Sequence, residues 1–218
     1  MTSRFRLSLA RRPRLALALA VAAGAAVSLW LRWLPEEGRR VTLTPVVAGV
    51  LSDPGSPAAG AGRPQVIVVV FTDYQCPICK ATDPALDRLL AADPTVRVIW
   101  KDWPIRGPQS DLAARTALAA HAQGRYREVH AALMAARGPL TPERIAAIAR
   151  TAGADPDLSA TREIDAQLKR HAAQAFGLGL SGTPAYLVGP YLLEGGLDDR
   201  RLRHAVEKAR RAGPPKPS

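Results

Sequence analysis

The sequence is poor in the residues that many familiar chemistries require. Only two cysteines occur in 218 residues, too few for a disulfide-stapled scaffold and too few for a four-thiolate metal site. The four histidines, His121, His130, His171 and His204, show no paired spacing of the kind zinc ligands need, so no metal is expected and each histidine reads as a surface or packing residue. Aromatic residues make up 5% of the chain. No lysine or arginine run interleaved with them follows residue 40, which argues against a nucleic-acid partner despite a net charge of +11. Residues 1–40 hold eight Arg and two Glu, so +6 of the charge lies there and only +5 in the rest. Disorder throughout is excluded by the 47% hydrophobic content. No internal repeat is visible, and the length allows one good-sized domain plus an appendage.

The appendage is N-terminal. Arg4, Arg6, Arg11, Arg12 and Arg14 precede an uncharged run, Leu15–Leu31, which Trp33 and Leu34 extend past a snorkelling Arg32. Such a run sits at the short limit of the roughly 17–25 residues that span a bilayer. A secretory signal has a shorter apolar region, about 7–15 residues, before a small-residue cut site. Ala23-Gly24-Ala25 offers one, but cutting there leaves Val-Ser-Leu-Trp-Leu exposed. The expectation is an uncleaved signal-anchor, a transmembrane segment over residues 1–34 with a linker at 35–48. The arginine bias places the N-terminus in the cytoplasm and the remainder outside it. That describes a single-pass protein of the cell inner membrane whose domain faces the periplasm; the alternative is a soluble periplasmic protein after signal cleavage.

Beyond the linker, Val41–Leu51 alternates weakly, as an edge strand would, and residues 52–64 form a Pro/Gly-rich loop. Val66–Phe71 is a run of six β-formers, suited to a central strand buried on both faces. Lys80–Ala92 reads as a helix, and Val96–Trp100 as a second strand, which makes a βαβ unit. From Ser110 to Phe176 the pattern is helical and alanine-rich, with Thr141-Pro142-Glu143 as a helix start. Thr183–Val188 and Tyr191–Leu193 form a hairpin, and Asp198–Arg211 a last amphipathic helix. Residues 213–218 read as a disordered tail.

The two cysteines stand three apart in Cys76-Pro77-Ile78-Cys79, between the buried strand and the helix. Thiols at i and i+3 close a small disulfide ring with little backbone movement. A cysteine at a helix N-terminus faces unpaired N–H groups and the positive end of the helix dipole, which favours the nucleophilic thiolate. Cys79, one turn in, is shielded and attacks only once a mixed disulfide brings it a partner. Pro77 and Ile78 set the helix entry and tune the couple. An inert structural disulfide and half of a zinc site compete with this reading. Far away in sequence, Thr183-Pro184 lies between a glycine-containing loop and a strand. A cis bond there would hold the Thr183 backbone free to pair with an incoming extended chain.

On these residues the sequence resembles the DsbA-like branch of the thioredoxin superfamily. The resemblance runs from Gly49 to Arg211 and rests on the Leu51–Gly62 loop, the Val66–Lys80 segment, Lys101-Asp102-Trp103-Pro104-Ile105, the helical stretch and Thr183-Pro184. It implies an α/β thioredoxin-like fold, a central mixed sheet flanked by helices, over residues 49–212, with a helical insertion at about 108–178. It also implies protein thiol–disulfide exchange, with Cys76 attacking, Cys79 resolving, and Pro184 as a cis-proline beside Thr183 in the substrate-binding loop. The redox group is the cysteine pair itself, so no cofactor is expected. Partners are cysteine-containing proteins and a membrane redox protein that restores the pair. Oxidation of clients is the expected direction; the alternatives are a reductase or isomerase fed by a membrane donor, or a binding module or chaperone on the same fold. One departure stands out: family members often carry an acid six residues before the first cysteine, where this chain has Val70. Lys101 and Asp102 are candidates for its proton-relay role, against the plainer reading of a strand-end pair.

Overall fold

A computed structural model describes residues 17–25, 38–159 and 161–217. The chain divides into two units, 1–36 and 37–218. In the first, residues 17–25 are helical and exposed (α1). Among the described residues no helix is long and apolar enough to cross a membrane. Most of the anchor expected over residues 1–34, and the start of the linker, lie outside the described residues.

The second unit is built on a six-stranded sheet: β1 (Arg39–Arg40), β2 (Ala58–Gly60), β3 (Val66–Thr72), β4 (Val96–Asp102), β5 (Ala185–Val188) and β6 (Tyr191–Glu194), in the order β1-β6-β5-β3-β4-β2. Only β3 and β4 run parallel; the other pairs are antiparallel. The β-branched run at Val66–Thr72 sits centrally between β4 and β5, which is why it tolerates almost no polar residue. Its even positions, Val66, Val68 and Val70, join one core with Val98 and Trp100 of β4 and Tyr186 of β5. Its odd positions, Val69 and Phe71, join a second core with Ile99, Trp103 and Leu187. Period-2 alternation therefore assigns each strand residue to one face.

The connection from β3 to β4 carries α3 (Pro77–Thr82) and α4 (Pro84–Ala92), where the sequence suggested one helix from Lys80 to Ala92. Pro84 lacks an N–H and so starts a new helix instead of continuing the old one. Between β4 and β5 come α5 (Pro108–Ala122), α6 (Tyr126–Ala135), α7 (Pro142–Thr151), a 3₁₀ turn (Pro156–Ser159) and α8 (Arg162–Gly177). The many alanines of α5, among them Ala113, Ala114, Ala117 and Ala120, are buried on all sides, because α6, α7 and α8 pack around this helix. Thr141 caps α7 as expected, its hydroxyl accepting from the Arg144 N–H at 3.3 Å. The last helix, α9 (Asp199–Ala212), is capped by Asp198 and lays Leu202, Val206 and Ala209 on the first core.

Three further expectations are corrected. Pro45–Leu51 is a helix (α2), not an edge strand: Thr44 caps it, Pro45 begins it, and these outweigh the weak alternation. Ala58–Gly60, inside the expected loop, pairs with the free edge of β4. Residues 213–217 are not a loose tail, since Pro215 is buried and the Lys216 carbonyl accepts from the Leu43 N–H at 2.8 Å.

Candidate active site

Strand β3 ends at Thr72, and a three-residue turn delivers Cys76 to the N-cap of α3. Asp73 builds that turn. Its buried carboxylate accepts from the N–H groups of Gln75 (2.7 Å), Ile105 (2.7 Å) and Arg106 (3.1 Å) and from the Ser110 hydroxyl. Its own carbonyl accepts from the Cys76 N–H at 3.1 Å. One carboxylate thus ties the cysteine turn to the segment that enters the insertion. Lys80 makes a second tie, donating to the carbonyls of Leu133 (2.7 Å) and Ala136 (2.9 Å), where a cation suits the C-terminal end of α6.

The Cys76 sulfur accepts from the Cys79 N–H at 3.4 Å, and its thiol donates to the Thr183 carbonyl at 3.4 Å. Burial alone would raise the Cys76 pKa. The backbone N–H and thiol of Cys79, the Thr183 side chain and the Ile78 N–H outweigh it and lower the pKa below that of a free thiol. Cys79 goes the other way: burial, together with Cys76, pushes it up to about 12 against weaker help from the Asp73 N–H and the Thr72 hydroxyl. Both cysteines are free and buried. The motif meets solvent through Pro77 and through Ile78, which is 51% exposed. Ile78 therefore touches the chemistry through its N–H, not its side chain.

The structure brings Thr183 and Pro184 to Cys76 across more than a hundred residues of sequence, and the Thr183–Pro184 bond is cis. It separates Lys101 from Asp102. They are neighbours on one strand and point to opposite faces of the sheet. Lys101 lies on the second core's side, fully buried, donating to Asp53 Oδ2 (2.9 Å) and Ser56 Oγ (2.7 Å). Asp102 lies on the side of the cysteines, where Tyr126 donates to its Oδ1 at 3.1 Å and its Oδ2 is buried without a partner. Burial pushes the Asp102 carboxyl up to about 6, despite His130 and the hydroxyls of Tyr74 and Tyr126 nearby.

Asp73, Lys80 and a buried chain of groups escaped sequence reasoning. In that chain Asp83 meets His130 Nε2 (2.9 Å), Tyr74 meets His130 Nδ1 (2.8 Å), and Tyr74 donates to Tyr126 (3.5 Å) on the way to Asp102. Asp73 left a trace in sequence, an Asx-turn residue two positions before Gln75 and just ahead of the cysteines. His130 left none, because its partners, Tyr74 and Asp83, lie 56 and 47 residues away in sequence. Among the described residues, no cluster of three or more His, Cys, Asp or Glu side chains is arranged to hold a metal ion.

Comparison with known proteins agrees with this geometry. A family model described as a DSBA-like thioredoxin domain matches residues 67–207. A thioredoxin-like oxidoreductase of Silicibacter pomeroyi is 37% identical, with a TM-score of 0.72 over 75% of this chain and 96% of that one. A periplasmic thioredoxin-like protein of Salmonella enterica serovar Typhimurium is 33% identical, with a TM-score of 0.71 over 76% and 96%. A Na(+)/H(+) antiporter NhaA 1 of Salinispora arenicola is 30% identical over 210 residues, 88% of this chain and 32% of that protein. The chain thus spans about a third of the length of that curated relative, and less of a second from Salinispora tropica. With the cysteine pair at the head of its helix, the cis-proline loop against it and a helical insertion beside both, the chain belongs to the DsbA-like family of thioredoxin-fold thiol–disulfide oxidoreductases.

Proposed function

We propose that this chain oxidises client thiols to disulfides on the extracytoplasmic side of a membrane. The asymmetry of the pair carries the direction. Hydrogen bonds lower the Cys76 pKa while Cys79 is pushed up to about 12. Stabilising the Cys76 thiolate stabilises the reduced form, which makes the corresponding disulfide a stronger oxidant. A client thiolate attacks Cys76 in the Cys76–Cys79 disulfide and Cys79 leaves. A second client thiolate then attacks the client sulfur of the mixed disulfide and releases Cys76 as its thiolate. The pair is left reduced, and a membrane redox partner takes the two electrons. Thr183 and Pro184 receive the client backbone.

The arginine-flanked apolar run supports an N-terminal anchor over residues 1–34, with residues 49–212 as the redox domain. The likeness to a periplasmic protein and to part of a protein named as an antiporter supports a setting beside a membrane. The test is the reduction potential of the Cys76–Cys79 couple, measured by glutathione equilibration. The expected value lies above thioredoxin's roughly −270 mV. A value at or below it, with insulin reduced faster than a denatured client is refolded, would establish a reductase.

A further inference from the structure

Cys79 poses a problem for its own chemistry. Burial disfavours the Cys79 thiolate and makes it a poor leaving group, so its departure from the disulfide calls for a proton. The family's usual acid is absent at Val70. Two groups in the structure stand in the right place. The Thr72 hydroxyl favours the Cys79 thiolate. Thr72 is the ladder partner of Asp102 across the parallel β3–β4 pair, so the two side chains project to the same face about 5 Å apart. That face is the one on which Val70, Cys76 and Cys79 lie. Asp102 also keeps one carboxylate oxygen, Oδ2, buried and without a partner.

We propose that Asp102, on the strand next to the usual position, is the proton reservoir for Cys79 and works through the Thr72 hydroxyl. The inference rests on the exchange chemistry of the cysteine pair. As a client thiolate bonds to Cys76 Sγ, the Sγ76–Sγ79 bond breaks and its electron pair goes to Cys79 Sγ. That sulfur takes the Thr72 hydroxyl proton while Thr72 takes one from Asp102. On re-oxidation the Cys79 thiol returns the proton by the same route. Tyr74, Tyr126, His130 and Asp73 face Asp102 from the cysteine turn and from α6, and Asp83 stands behind His130. The reservoir is thereby set near neutrality, since the carboxyl titrates at about 6. Lys101, on the other face of the sheet, has no part in it.

The test follows reaction of the oxidised full-length protein with glutathione between pH 4.5 and 8.5, with each rate divided by the glutathione thiolate fraction. In the wild type the corrected rate falls as pH rises through about 6. The drop approaches roughly a hundredfold, the low side of what general acid–base assistance supplies. Asp102→Asn and Thr72→Val flatten the profile at the lower level, whereas Lys101→Met keeps the inflection. An inflection retained in either of the first two variants overturns the proposal. Should Asp102→Asn fail to fold, as judged by circular dichroism, Thr72→Val decides alone. Absence of any glutathione adduct on wild-type Cys76 would instead defeat the exchange reading, and this proposal with it.

Discussion

Acidification from pH 7 to 4.5 is expected to leave the stability of this protein nearly level, because two buried groups oppose one another. His171, fully buried, has its Nδ1 3.0 Å from the Asp102 carbonyl and its Nε2 2.7 Å from the Gln167 amide nitrogen and 3.0 Å from Ser56 Oγ. That arrangement fits a neutral ring with its proton on Nδ1. Burial, reinforced by the Lys101 charge, lowers its pKa to about 3. The stability it contributes is present above the unfolded value of about 6.5 and is lost as pH falls toward 3. Asp102 runs the opposite way: with its carboxyl raised to about 6, the fold gains stability as pH falls through 6 toward the ordinary 3.8. At about 1.36 kcal/mol per pKa unit, His171 costs about 2–3 kcal/mol over this interval and Asp102 restores about 2. Asp53, lowered to about 2 because its bonds to Lys101 and Gln167 outweigh burial, begins to cost stability only below about pH 4. Urea unfolding followed by fluorescence of the buried Trp100 and Trp103 measures the sum. The wild type should lose less than about 1 kcal/mol, and Asp102→Asn, which keeps the cost and removes the compensation, about 2–3. Refutation would be an Asp102→Asn variant whose stability tracks the wild type across the interval.

Other expectations are simpler to read. Cys79→Ser should accumulate mixed disulfides with client proteins, seen as bands on non-reducing gels that reductant removes, and Cys76→Ser few; equal trapping by both would reject the assigned order of attack. Lys80→Met leaves the Leu133 and Ala136 carbonyls without their cationic donor, and should lower unfolding free energy by about 1.5–3 kcal/mol, the scale of a charge-assisted bond, with an unchanged m-value.

The parts of the molecule legible in the sequence are those whose signal is local. The valine run of β3, Thr141-Pro142 at the start of α7 and the cysteine spacing each declare themselves within a few residues. Where two local signals competed, the weaker misled: the alternation of Val41–Leu51 lost to the Thr44-Pro45 cap, and the apolar pattern of Lys80–Ala92 concealed the break at Pro84. Ala58–Gly60 has no strand character of its own and is a strand only because β4 offers it an edge. The same logic divides the site. Cys76 and Cys79 are visible together, but Lys101 and Asp102 looked equivalent until strand alternation sent one to each face. His130 acquires its role only when α6 is folded against Tyr74 and Asp83.

The grip of Asp73 and Lys80 on the segment between β4 and β5 bears on any attempt to trim this protein. Cutting from Trp103 to Leu180 would keep every strand, both cysteines and Pro184. It would also strip Asp73 of the Ile105, Arg106 and Ser110 donors and leave Lys80 with nothing to bind. A buried carboxylate robbed of its donors is costly, and here it would sit three residues from the Cys76 sulfur. The minimal version of this enzyme therefore includes its helices, and a stripped-down core would need Asp73 and Lys80 redesigned before its cysteines were worth assaying.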